Sequence, residues 1–148
     1  MATDLTHIIL ADDDEDDRLF FTDAFEELKM STAVTTYKDG VYLMDYLNHP
    51  DATLPHILFL DLNMPRKSGM ECLKEIKANK RFDHIAIAIY STSASDEDIE
   101  NTFVQGANIY IKKPSDFGKL KKVLSNVVTT NWQYHTNGLN RDQFLLKL

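Results

Sequence analysis

Cysteine is nearly absent: Cys72 is the single one in 148 residues, so no internal disulfide framework can staple the chain. Cys72 falls in a helical pattern without a partner motif, and an unreactive side chain is expected there. Long apolar runs are missing too. None approaches the roughly 20 residues that a bilayer-spanning helix requires, so no membrane partner is expected. Residues 1–7 lack a basic region followed by an apolar one, so no secretory signal is read and the cytoplasm is the default location. Positive charge is in deficit as well. With 16 Lys and Arg against 23 Asp and Glu, the formal net charge is −7 at pH 7. Non-specific nucleic-acid binding relies on Lys and Arg neutralising phosphates and is therefore not expected.

What is present fits one soluble domain with at most a short appendage. Hydrophobic residues make up 43% and charged residues 26%, an ordinary balance for a globular chain. This length can bury a full core but leaves no room for a second catalytic domain. The charges are unevenly placed. Residues 12–17 form an unbroken acidic run, whereas Lys112, Lys113, Lys119, Lys121 and Lys122 gather near the other end.

Five apolar or β-branched runs of strand length stand out, at residues 7–11, 32–37, 56–60, 85–90 and 108–111. Helical patterns follow them. Phe21, Ala24, Phe25 and Leu28 recur at helical spacing after the first run, Met70, Leu73 and Ile76 after the third, and Phe117, Leu120, Leu124, Val127 and Val128 after the fifth. Start signals agree: Ser68 with Glu71 and Ser95 with Asp98 have capping-box spacing, Asp39 precedes the weaker second helix, and Gly106 is placed to end the fourth. Strands apolar almost throughout are buried on both faces, and strict alternation with helices makes the sheet parallel. The pattern defines a domain over residues 1–128. Residues 129–148 lack a Pro- or Ser-rich linker before them and read as an extended last helix with a small appendage, docked on the domain or at an interface.

Ligands of open parallel sheets bind outside the carboxyl ends of the strands, where strand order reverses. The first strand ends in Asp12, Asp13 and Asp14, the third in Asp61, the fourth in Ser91 and Thr92, and the fifth in Lys113 and Pro114. Clustered carboxylates repel one another unless a hard divalent cation sits between them, which favours a Mg²⁺ site. A helix N-terminus also favours acids; both apply, with Asp12 and Asp13 functional and Asp14, Glu15, Asp16 and Asp17 mostly solvated. A carboxylate can attack phosphorus if a cation and hydrogen-bond donors meet the phosphoryl oxygens. Lys113 and the Ser91 hydroxyl are such donors.

These residues carry a resemblance. ILADDD, LFLDLNMPRKSG, AIAIYSTSA and YIKKP, in this order over residues 6–128, resemble the motifs of response-regulator receiver domains, the chemotaxis-regulator-like switches of two-component systems. The resemblance implies a flavodoxin-like, doubly wound (βα)₅ fold with strand order 2-1-3-4-5. It implies Asp61 as phosphoacceptor, and Asp12, Asp13, Asp61 and the Asn63 backbone carbonyl as the Mg²⁺ site. It further implies Ser91 as switch hydroxyl, Lys113 as phosphate-binding lysine, a cis bond before Pro114, and Tyr110 as switch aromatic. Thr92, bulkier than the small residue often found there, implies crowded access to the phosphoryl site.

The implied function is that of a switch, not an enzyme. A phosphoryl group arrives from a sensor histidine kinase or a histidine phosphotransfer protein, Ser91 is drawn toward it, and Tyr110 turns inward. That reshapes the face made by the fourth helix, fifth strand and fifth helix for a downstream protein or a second copy. Trp132, Tyr134, Phe144, Leu145 and Leu146 are apolar bodies beyond the last helix, expected to dock on their own domain or extend an interface. Rival readings fail on particular residues. A haloacid-dehalogenase-type phosphatase would leave Asp61 unexplained, and a Ca²⁺ loop from Asp12 would need glycine where Asp17 stands and glutamate where Asp23 stands.

Overall fold

Alternation along each strand decides which helices cover which side of the sheet. The computed structural model describes residues 5–130 and 144–146. Its strands are β1 (Thr6–Ala11), β2 (Thr32–Tyr37), β3 (Ile57–Leu60), β4 (Ala86–Ser91) and β5 (Ile109–Lys112). Between and after them run α1 (Glu15–Leu28), α2 (Gly40–Asn48), α3 (Gly69–Lys77), α4 (Asp96–Val104) and α5 (Phe117–Thr129). All strand pairs are parallel, in the order β2-β1-β3-β4-β5. This is the flavodoxin-like arrangement.

Two apolar layers result. Ile8, Leu10, Phe59, Ala88, Tyr90 and Ile111 pack with Phe21, Ala24 and Phe25 of α1 and Leu120, Val123 and Leu124 of α5. Their strand neighbours, among them Ile9, Leu58, Leu60, Ile87 and Ile89, pack on the opposite face with side chains of α2, α3 and α4. Every residue of β3 and β4 is buried, which is why these runs read as continuously apolar. Cys72 lies in the second layer, fully buried, and burial pushes its thiol up to about 12.

The caps follow the sequence signals. Ser68 and Glu71 form a complete reciprocal box, Ser95 accepts from the Asp98 amide, and Asp39 accepts from the Tyr42 amide. Gly106 adopts φ +95° just beyond α4, a conformation that favours glycine. The last helix is not extended. It ends at Thr129, where the Thr129 and Thr130 hydroxyls donate to the Ser125 and Asn126 carbonyls and compete with the helical ladder.

Candidate functional site

Strand order reverses between β1 and β3, and the residues that follow those two strands are Asp12 and Asp61. Each is fixed by backbone hydrogen bonds that prolong the sheet: the Asp12 amide donates to Tyr37 O and the Asp61 amide to Ala11 O, both at 3.0 Å. Asp12 is fully buried and Asp61 nearly so, whereas Asp13 is exposed. Carboxylate oxygens of Asp12, Asp13 and Asp61 lie within 4.8 Å of one another, a grouping able to hold a metal ion.

Lys113, just past β5, reaches back over this cluster. Its Nζ is 2.7 Å from Asp12 Oδ2, 2.8 Å from Asp17 Oδ2 and 3.6 Å from Asp61 Oδ2. Burial disfavours the ammonium, but Asp12 and Asp17 outweigh it and hold the lysine above its ordinary value. One ammonium does not balance the carboxylates. Burial pushes Asp61 up to about 7, with the neighbouring Asp12 charge adding to the rise and Lys113 opposing it. Asp12 is raised too, mainly by burial. Two desolvated acids and a third beside them suit a divalent cation with oxygen ligands, so the donor set fits the implied metal.

The remaining site residues sit on the same edge. Ser91 ends β4, fully buried, and its Oγ accepts from the Ser93 amide at 3.2 Å; its carbonyl accepts from the Lys113 amide at 2.8 Å. Thr92 is exposed immediately beyond. Asn63 is exposed in the β3–α3 loop, with its amide 3.4 Å from Asp61 Oδ1. Gly69 explains how that loop doubles back. A Cβ there would stand 2.1 Å from the Asp61 carbonyl oxygen, so only glycine lets α3 start against the site, where its amide donates to Leu62 O.

One expectation changes. The Lys113–Pro114 bond is trans, like every other peptide bond among the described residues. Trans is favoured by about 0.5–1 kcal/mol before proline, and Lys113 reaches the carboxylates from that geometry. Tyr110, the implied switch aromatic, points inward in this structure. It is fully buried, its hydroxyl donates to Ser93 O at 2.6 Å, and Phe144 covers the ring. Leu145 forms a parallel bridge with Tyr110, and the Leu146 amide donates to Tyr110 O at 2.9 Å. Trp132 and Tyr134 lie outside the described residues.

Sequence reading missed Asp17, taken as mostly solvated. Its signal was available, because Asp17 stands four residues before Phe21 and so heads the stripe of α1 that faces the sheet. It also missed Arg18, whose Nη1 donates to the Asp12 carbonyl at 2.8 Å, and Arg66, which pairs with Asp39 at 3.1 Å from a left-handed backbone, φ 65°. Asp13, Arg18, Lys38, Tyr42 and Arg66 help line an open cavity of about 580 Å³ beside the acidic cluster.

The family model of the response regulator receiver domain matches residues 8–125. The chain belongs to that family, whose members are signalling switches of two-component systems. A probable methanogenesis regulatory protein, FilR2 of Methanothrix harundinacea, is 30% identical over 129 residues, covering 85% of this chain and 83% of that protein. The response regulator Rcp1 of Synechocystis is 25% identical, covering 81% and 84%. Among solved structures, the Mn²⁺-bound form of Rcp1 superposes with a TM-score of 0.74 at 25% identity, over 82% of this chain and 91% of that one. The phosphorylated cyanobacterial phytochrome response regulator RcpA does so at 0.78 and 26% identity, over 93% and 98%. Among the described residues no helix is long and apolar enough to cross a membrane.

Proposed function

We propose that this receiver domain is phosphorylated on Asp61, with Mg²⁺ as cofactor, by a phosphohistidine of a sensor histidine kinase or histidine phosphotransfer protein. One observation carries the reading: a nearly buried Asp61 sits between two further carboxylates and one ammonium, on the edge of the sheet where strand order reverses. An Asp61 oxygen forms the new O–P bond as the N–P bond of the donor breaks, and the electron pair returns to the imidazole ring.

Asp12, Asp13, Asp61 and the Asn63 carbonyl would hold the ion, which when bound offsets carboxylate and phosphoryl charge. Lys113 donates to a phosphoryl oxygen. Ser91 donates its hydroxyl to another, and Thr92, on the exposed rim, narrows access. The phosphoryl group adds about two negative charges and several acceptor oxygens. Drawing Ser91 toward them strengthens the packing that already holds Tyr110 inward, and the α4–β5–α5 surface carries the signal to a downstream protein or a second copy. The Mn²⁺-bound Rcp1 and phosphorylated RcpA structures support this reading through their similarity.

The test is incubation of the purified chain with Mg²⁺ and acetyl phosphate, followed by intact-mass analysis. One acid-stable, base-labile phosphoryl group is expected in the parent and none in Asp61→Asn. Absence of phosphorylation even with an added histidine kinase would overturn the proposal and leave a phosphorylation-independent interaction domain.

A further inference from the structure

One carboxylate beside Lys113 lies outside the Asp12, Asp13 and Asp61 group that could hold a metal ion. Asp17 lies in the first turn of α1, where its backbone amide donates to the cap residue Asp14 at 2.9 Å. Its side chain crosses from the helix to the end of β5 and accepts from Lys113 Nζ at 2.8 Å. Nζ is thus shared between Asp12 and Asp17 at hydrogen-bond distance, while Asp61 Oδ2, at 3.6 Å, is beyond it.

We propose that Asp17 is a positioning residue that holds Lys113 off Asp61 in the unmodified protein and competes with the phosphoryl group for its ammonium. The inference rests on the reading of Asp61 as phosphoacceptor. To meet an oxygen attached at Asp61, the ammonium has to move toward it and loosen one of its two close contacts. Asp12 is 0% exposed, and its carboxylate lies within 4.8 Å of that of Asp61, so the ammonium can approach Asp61 without leaving Asp12. Asp17 is 36% exposed, so water can take over its solvation when Lys113 leaves. Asp17 is therefore the partner given up. An ion pair open to solvent on one side is worth up to about fivefold in an equilibrium constant, enough to tune the site without blocking it. Its charge also repels an incoming anion.

Fluoroberyllate, an analogue of the phosphoryl group, provides the probe, titrated into the full chain at saturating Mg²⁺. Asp17→Asn and Asp17→Ala should each bind it about threefold more tightly than the parent, within the range that such a pair allows. Mg²⁺ titrated alone should bind about twofold more weakly in the same variants. One negative charge is gone, and Lys113 is freed to press on Asp12 and Asp61. A merely structural role would weaken both ligands together, so opposite signs are the signature. Unchanged or weaker fluoroberyllate binding in both variants overturns the role of Asp17. Failure of the parent chain itself to bind fluoroberyllate overturns the phosphoacceptor reading, and the role of Asp17 with it.

Discussion

Phe144 meets Tyr110 edge-on, with ring centroids 6.2 Å apart and planes inclined by 68°. Phe103 of α4 also packs on Phe144, with ring centroids 5.3 Å apart. A residue more than thirty positions beyond β5 thus packs on the aromatic ring whose hydroxyl donates to Ser93 O, and Phe144 is itself 0% exposed. The tail segment and the state of Tyr110 are one packing unit.

Truncating that ring should therefore be expensive. Phe144→Ala is expected to lower unfolding stability by about 3 kcal/mol, the low end for a buried phenylalanine, and to leave Tyr110 accessible on one side. Urea unfolding and the NMR shifts of the Tyr110 ring check both. A loss below about 0.5 kcal/mol, within the ordinary scatter of surface changes, would show that Phe144 does not hold the ring.

Asp61 gives the protein a pH dependence of definite sign. Its folded value is pushed from 3.8 up to about 7, so between those limits the folded chain keeps a proton that the unfolded chain has released. Its stabilising contribution is full below the lower limit, falls as pH rises, and is gone above the upper one. Against Asp61→Asn, which no longer titrates at position 61, the parent should lose stability from pH 4 to pH 8 in metal-free buffer. The loss is on the order of a few kcal/mol. Parallel stability profiles for the two proteins would contradict this.

Gly69→Ala should damage the site before it damages the core. The new Cβ meets the Asp61 carbonyl and Leu62 Cα, both backbone, so the β3–α3 loop has to shift as a whole. A loss of about 1–3 kcal/mol is expected, along with weakened Mg²⁺ binding, measured by calorimetry. Parent-like Mg²⁺ affinity would mean that the loop does not set the position of Asp61.

On the proposed reading of Thr92 as narrowing access to the phosphoryl site, Thr92→Ala should shorten the lifetime of the phosphorylated state. A roughly threefold faster autodephosphorylation is expected, less than 1.4 kcal/mol of barrier. An unchanged rate would remove Thr92 from the site's kinetics.

Much of this was legible in the sequence for a physical reason: strands buried on both faces advertise themselves as apolar runs, and caps such as Ser68 and Asp39 have few alternatives. The strand bounds lie within one residue of those read from the sequence. The carboxylates and Lys113 were legible because strand ends converge on one edge. Asp17 was hidden by composition. Inside an acidic run every carboxylate looks like a favourable helix start, and only its phase with Phe21 separates it from Asp16, which is exposed. The tail was hidden differently. Nothing local to Phe144 says which groove it fills, since that depends on a space left between α4 and β5. The state of Tyr110 is a packing outcome of the same kind.

The tail contact also bears on the free edge of the sheet. β5 is an outermost strand of the sheet, and an outermost strand offers unpaired amides and carbonyls to any extended chain that drifts by. Here the chain's own Leu145 and Leu146 take up that place beside Tyr110. That border of the sheet is thus covered from within at Tyr110, and detachment of this short segment would return those backbone groups to the open edge.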